Sequence, residues 1–325
     1  MKILKSLLVP LCSLMLAAAF PAAAAEPYPN KPIRLIVPYA AGGGTDVMAR
    51  AFAQRLASAL SVQIVVENRT GAGGNIAASA VAKAAPDGYT LFFGAAGPLA
   101  VNPALYDKLP FDPVKDFVPI GLVGLMPLFL TVPAALPVQT LKDLVALAKA
   151  RPGQLNYASS GIGGTTHLAM EWLKSQTGIS ITHVPYKGTA AGVSDMIGGN
   201  IQVIFDAWPT TGPHVQSGKL KYLAVSTAKR SALEPHLPTV AESGLTGFDL
   251  YVWYGVMAPA GTPADIVAKL SGEAAKVMVL PDLKARFASL GMEPMTGTPE
   301  QFAEHLRAET AKWARIVRDS GAKAE

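Results

Sequence analysis

Short apolar runs and longer amphipathic stretches alternate along this chain. Ile33 to Val37 is a run of strand length, and a Gly-rich turn carries it into helical periodicity from about Thr45 to Leu60. A strand at Gln63 to Glu67 follows, then a Gly-rich turn at Gly71 to Gly74, then a helix from about Asn75 to Ala84. Pro86, Asp87 and Gly88 form a turn into a strand at Thr90 to Gly94. This order predicts an α/β fold built on a parallel sheet with helices on its faces.

A second unit begins near Leu128, with a strand to Val132 and a helix from Thr140, where Thr140 and Asp143 have capping-box spacing. Arg151, Pro152 and Gly153 stop that helix. Strand Asn156 to Ala158 enters a third Gly-rich turn, Ser159 to Gly164, followed by a helix from Thr165 to Gln176. Strands at Ile181 to Val184, Val203 to Phe205 and Tyr222 to Ser226, with a helix over about Gly188 to Ile197, complete the unit. Past Gly247 come a strand at Tyr251 to Met257 and helices over about Pro263 to Met278, Pro281 to Leu290 and Pro299 to Ser320. Proline opens each of these helices, where its missing N–H costs nothing. The helices lack strands of their own, so they are expected to return to the first unit. The expected division is residues 1–25 as a leader, 26–127 with 248–325 as one discontinuous lobe, and 128–247 as the other. Two crossings between lobes make a hinge, and the cleft between them makes a pocket.

The leader reading comes from the first segment. Lys2 and Lys5 precede an apolar stretch from about Leu7 to Phe20, and Ala23 and Ala25 fit an Ala-x-Ala signal. Cleavage is expected after Ala25, with export to the periplasm. The stretch is short of the roughly 20 apolar residues that span a bilayer. Cys12 is the only cysteine, and Leu11 before it does not suit lipidation. The mature chain therefore has no disulfide and no thiolate. Losing Lys2 and Lys5 lowers the net charge from +5 to +3. No basic run with interleaved aromatics is present, which argues against nucleic acid as a partner.

Chemistry concentrates in the three Gly-rich loops, each of which runs into a helix. Helix N-termini carry unpaired N–H groups and partial positive charge, and glycine lets a ligand reach them. An anion held there needs no arginine. None of the loops has the Lys-Ser/Thr of a phosphate-binding loop. In the third, Thr166 stands where a dinucleotide fingerprint needs its last glycine. Asp46 falls in the first turn of its helix, where a carboxylate can cap free N–H groups or accept from a ligand. Ser159 or Ser160, His167 and Asp206 suggest a hydrolytic triad only on paper, since the Gly-x-Ser-x-Gly elbow is absent. The five histidines show no metal spacing. No catalytic residue, metal or cofactor is expected.

Taken together, IVPYAAGGGTD, VVENRTGAGGNIAA, APDGYTL, ASSGIGGTTHLAME, HVPYKGTAAG, VIFDAWP and APAGTP run in order across nearly the whole mature chain. In this the chain resembles the receptors of tripartite tricarboxylate transporters, the Bug family of periplasmic solute-binding proteins. The resemblance implies a two-lobed type II periplasmic-binding-protein fold, each lobe a mainly parallel sheet flanked by helices. It implies a hinged monomer that clamps a small organic carboxylate in its cleft and hands it to integral-membrane permease subunits. A ligand-sensing role in signalling is one alternative, and an exported serine hydrolase is another. Carried over by position, the resemblance implies ligand contacts from Tyr39, Ala40, Gly43, Gly44 and Asp46 in the first loop. It implies Gly74 and Asn75 in the second, Ser159, Gly161, Gly164, Thr165, Thr166 and His167 in the third, and Asp206 beyond. Ala207-Trp208 after Asp206 departs from the family pattern, and Trp208 reads either as narrowing the pocket or as packing between the lobes.

Overall fold

β1 (Ile33–Val37) buries every position except Arg34, as a strand covered on both faces must. The computed structural model describes residues 27–322, so the leader and its cut after Ala25 lie outside the described residues. β1 runs parallel to β2 (Ile64–Asn68) and to β3 (Thr90–Ala95). The crossovers are α1 (Gly44–Leu60) and α2 (Asn75–Ala82). α1 turns Met48, Ala49, Phe52, Ala53 and Leu56 inward, the spacing of one helical face.

After β3 the chain departs from the sequence pattern. A π-helical stretch, Gly97–Val101, leads directly into α3 (Asn102–Leu105), with Pro98 in its first turn. The next strand is also longer than the pattern suggests. β4 (Phe117–Pro133) begins well before Leu128. Its first part pairs antiparallel with β9 (Tyr251–Pro259), from Phe117 opposite Pro259 to Pro127 opposite Tyr251. From Leu128 it pairs instead with β7 (Val203–Ala207), and from Phe129 also with β8 (Leu220–Val225). Proline cannot donate to a ladder and is tolerated at irregular points. Pro119 borders a register shift, and Pro127 is the last residue before the change of partners.

The second sheet continues from β7 to β5 (Asn156–Ser159) and β6 (Thr182–Pro185), all parallel. Around it lie α4 (Leu141–Ala150), α5 (Thr165–Thr177), α6 (Thr189–Ile197) and α7 (Trp208–Gln216). The strand order is β2-β1-β3-β9-β4-β7-β5-β6, with β4 also holding β8 and β10 (Glu293–Pro294). The outer thirds are therefore parallel, and the centre, β9 and β4, is antiparallel.

α8 (Ala264–Met278) packs on β4 and α1, and α9 (Pro281–Ser289) on α1. α10 (Pro299–Ser320) does more than return to the first sheet, because it also packs against α5 of the second. Its buried Glu309 carboxylate accepts from the indole N–H groups of Trp253 and Trp313, both at 3.1 Å. A buried carboxylate needs such partners, and here they pin α10 to β9.

Candidate functional site

The first loop is braced from inside. Asp46 is 2% exposed. Its Oδ2 accepts from the Gly42 N–H at 2.8 Å and from Arg50 Nε at 2.9 Å. Its Oδ1 accepts from Asn68 Nδ2 at 2.9 Å, and the same amide group donates to the Tyr39 carbonyl at 2.9 Å. Burial alone would raise the Asp46 pKa, but the bonds from Arg50, Gly42 and Asn68 outweigh it and hold the carboxyl below its ordinary value. Asp46 thus ties the loop to the end of β2 and balances the N-terminus of its own helix.

Asn75 in the second loop is engaged in a similar way. Asn102 Nδ2 donates to Asn75 Oδ1 at 2.7 Å and to the Gly73 carbonyl at 3.1 Å, which joins that loop to α3.

The third loop rests on a buried polar cluster. Thr166 Oγ1 accepts from the Ser160 N–H at 2.8 Å, and Ser159 Oγ accepts from the Gly161 N–H at 3.1 Å. His167 Nδ1 accepts from the Gly163 N–H at 3.2 Å. The His167 ring stacks on His183 at 4.2 Å between centroids, and His183 stacks on Tyr157 at 4.7 Å. His183 Nε2 lies 2.7 Å from Ser159 Oγ. Burial lowers the pKa of both histidines. For His183, where His167 adds to the effect, it falls to about 4. Both rings are therefore neutral at pH 7. The serine thus meets His183 and not His167, and Asp206 hydrogen-bonds to neither, so no triad is assembled among the described residues.

Between the first and second sheets lies a cavity of about 480 Å³. The loop after β1 contributes Tyr39, and the second loop contributes Gly73. The segment after β3 contributes Gly97, Val101, Asn102, Leu105 and Tyr106, and β9 contributes Val252. The third loop closes the other side with Ser160, Ile162, Gly163, Gly164 and Thr165. Of the residues singled out by sequence, Tyr39, Gly164 and Thr165 line this cavity. Ala40, Gly43, Gly44, Asp46, Gly74, Asn75, Ser159, Gly161, Thr166, His167 and Asp206 do not. Several of these shape the loops from behind.

Two glycines explain how the walls approach each other. A Cβ at Gly97 would sit 2.7 Å from the Tyr39 hydroxyl. At Gly163, φ is +74° and a Cβ would sit 2.9 Å from Leu105 Cδ1, so the third loop touches α3 directly. Trp208 does not line the cavity. Its ring lies over Gly212, and its Cβ faces Gly291 in the turn after α9. Asp206 is buried at the end of β7. Its Oδ1 accepts from the Ala207 N–H at 2.8 Å, while Oδ2 has no hydrogen bond. Burial raises its pKa to about 6 against the pull of Thr189, Ala207 and Thr210.

No charged side chain among the described residues lines the cavity. The N-terminus of α5 reaches it through Gly164 and Thr165. The first bond inside that helix runs from Leu168 N–H to the Gly164 carbonyl at 3.0 Å. The N–H groups of Thr165, Thr166 and His167 precede it and have no helical acceptor. The first turn of α5 contains no acid, whereas the first turn of α1 contains Asp46. Of these two, the positive end of α5 is the unbalanced one, and α2 likewise has no acid in its first turn.

The walls missed by sequence come mainly from the segment after β3. Gly97-Pro98 is a strand-end glycine followed by a helix-opening proline, the one signal that pointed there.

N–H groups at a helix N-terminus can hold an anion without an arginine. Residues 48–322 match the model of the tripartite tricarboxylate transporter family receptor. The chain belongs to that family. It is similar to protein BugT of Bordetella pertussis, 39% identical over 92% of each chain. Among solved structures it resembles R. palustris Rpa4515 with adipate, at TM-score 0.80 and 38% identity, covering 91% of this chain and 99% of that one. It also resembles MatC (Rpa3494) from Rhodopseudomonas palustris with bound malate, at TM-score 0.76 and 32% identity, covering 89% and 100%. The receptor has the two-lobed α/β fold of periplasmic binding proteins, and its family comprises periplasmic solute receptors, not enzymes. No described helix is long and apolar enough to cross a membrane.

Proposed function

We propose that this receptor captures a small organic carboxylate in the cavity between its sheets and delivers it to the integral-membrane subunits of a tripartite transporter. The observation that carries the reading is the acid-free N-terminus of α5, which meets a cavity without charged side chains. A carboxylate is the anion suited to such N–H groups. The adipate and malate held by the two solved relatives support the same ligand class. The lobes are residues 26–127 with 248–325, and 128–247. The change of partners along β4 after Pro127 supports that boundary. Loop positions that do not line the cavity, such as Asp46 and His167, act by holding the loops. The chain works as a periplasmic monomer after removal of residues 1–25.

A thermal-shift screen of the chain from Glu26 tests this, with small carboxylic acids against nucleotide and sugar controls. A ligand that binds only the native state raises the melting temperature by mass action. A shift with one or a few acids and none with controls is expected. No shift with any acid, or a shift with nucleotides, overturns the reading.

A further inference from the structure

We infer that His167 is a proton-sensitive latch on the third loop: the receptor holds its ligand while this ring accepts a hydrogen bond from Gly163, and releases it when the ring takes up a proton. The inference rests on the receptor reading above and adds a control by pH.

The latch begins at a backbone group whose role is fixed. The Gly163 N–H can only donate, and it meets His167 Nδ1 at 3.2 Å. Nδ1 must therefore carry a lone pair. An imidazolium donates from both ring nitrogens and accepts at neither, so protonation sets two donors against each other. The ring is buried, and little water can separate them. Gly163 also lines the cavity, in left-handed backbone beside Leu105 of α3. A loop tip expelled from Nδ1 moves one wall of the cavity relative to the other.

His183, stacked on His167, tolerates a proton where His167 does not. Its Nε2 faces the Ser159 hydroxyl, which both donates and accepts. Ser159 Oγ already accepts from the Gly161 N–H and has the Gly161 carbonyl 3.3 Å away. When His183 gains a proton, the hydroxyl turns its own hydrogen to that carbonyl and accepts from the ring. The loop keeps its bonds. The latch is therefore His167.

The surroundings favour the neutral ring at pH 7. Burial is the largest influence on His167 and lowers its pKa. Glu171 and Lys174 of α5 face it with opposite signs and pair with each other at 2.6 Å. From β5, Tyr157 stacks 6.4 Å from it and donates its hydroxyl hydrogen to Glu171. From β6, His183 at 4.2 Å opposes a second positive charge. Asp206 of β7 hydrogen-bonds to neither histidine, and α10 brings Arg315 to Trp172. The folded pKa lies below the ordinary value of about 6.5. The latch is thus whole above about pH 6.5 and is lost as pH falls through the lower, folded value.

The test compares the chain from Glu26 with its His167→Asn and His183→Gln variants. In His167→Asn the amide Oδ1 stands in for Nδ1, accepts from Gly163 and takes up no proton. Each protein is titrated calorimetrically with adipate and with malate at pH 7.5 and pH 4.5. The acids' own protonation is common to all three proteins and cancels in the ratio of affinities. Parent and His167→Asn should agree within about threefold at pH 7.5, and at pH 4.5 the parent should bind about tenfold more weakly than the variant. His183→Gln should keep the parent's response. A second readout needs no ligand. In proton–nitrogen correlation spectra the Gly163 amide signal of the parent should move between pH 7.5 and pH 4.5, and that of His167→Asn should stay. A parent that keeps pace with His167→Asn at pH 4.5, or binds more tightly than it, overturns the inference and leaves the receptor reading intact. So does a response lost in His183→Gln but kept in His167→Asn. Binding of neither acid at pH 7.5 counts against the receptor reading instead, and the Gly163 signal then decides the latch: movement in both proteins alike, or in neither, overturns it.

Discussion

Replacing Asp46 with alanine separates loop bracing from ligand contact. The substitution leaves three donors without their acceptor: the Gly42 N–H, the Arg50 guanidinium and the Asn68 amide. A hydrogen bond to a charged group contributes about 1.5–3 kcal/mol. The Arg50 side chain is half exposed, so its share is discounted for solvent screening. The three bonds share one carboxylate and do not simply add, so the expected loss is about 3 kcal/mol. At roughly 2 °C per kcal/mol for a chain of this size, the ligand-free protein should melt about 6 °C lower. The folded Asp46 carboxyl titrates below the ordinary value of about 3.9. The native state therefore holds this proton less readily than the unfolded chain. The stabilisation is complete above about pH 4 and is lost as pH falls through the folded pKa. The gap between parent and Asp46→Ala should close over that range. Circular-dichroism melts of the ligand-free proteins from pH 7.5 to 3, with titration of a bound acid at pH 7.5, provide the assay. A variant that melts within about 1 °C of the parent yet has lost affinity would refute bracing and put the carboxylate on the ligand.

Two further outcomes follow from the third loop. Gly163→Val forces a β-branched residue into left-handed backbone, at roughly 1–2 kcal/mol, and pushes a side chain onto Leu105. The variant should fold yet bind its acid at least about tenfold more weakly by titration, and full affinity would show that the third loop need not touch α3. His183 is protonated less easily when folded, near pH 4 against about 6.5 unfolded. Its contribution is whole above about pH 6.5 and falls away towards pH 4, by up to about 3 kcal/mol. Urea denaturation at pH 7.5, 5.5 and 4.5 should show a weaker pH dependence in His183→Gln, and identical curves would rule out the stacked histidines as its source.

Much of the fold was legible in local pattern. β1 lies where the apolar run placed it, and α1 and α5 begin within a residue of the predicted starts. The Thr140–Asp143 capping box forms, with Thr140 Oγ1 accepting from the Asp143 N–H at 3.1 Å. These features depend on neighbours in sequence, through caps, periodicity and turn chemistry. β4 was less legible because proline cannot donate to a ladder: Pro119 borders a register shift and Pro127 marks a change of partners. α7 was hidden by Pro209, Gly212 and Pro213, which local propensity counts against a helix. Of the two readings of Trp208, packing holds, for a related reason. The start of α7 carries that ring onto Gly212 and Gly291, away from the cavity.

By itself, the sequence determined the strand–loop–helix units, the three loops that open helices and the family to which their order belongs. Each of these is encoded within a few residues. Only the tertiary structure decided which loop groups face the cavity. Asp46 looked the same in sequence whether it met a ligand or Asn68, which lies on another strand. Val252, Leu105 and Ile162 are far apart in the chain and line one cavity only when β9, α3 and the third loop meet across the cleft. Side-chain direction and the joining of distant segments come from long-range packing, and no local pattern carries that information.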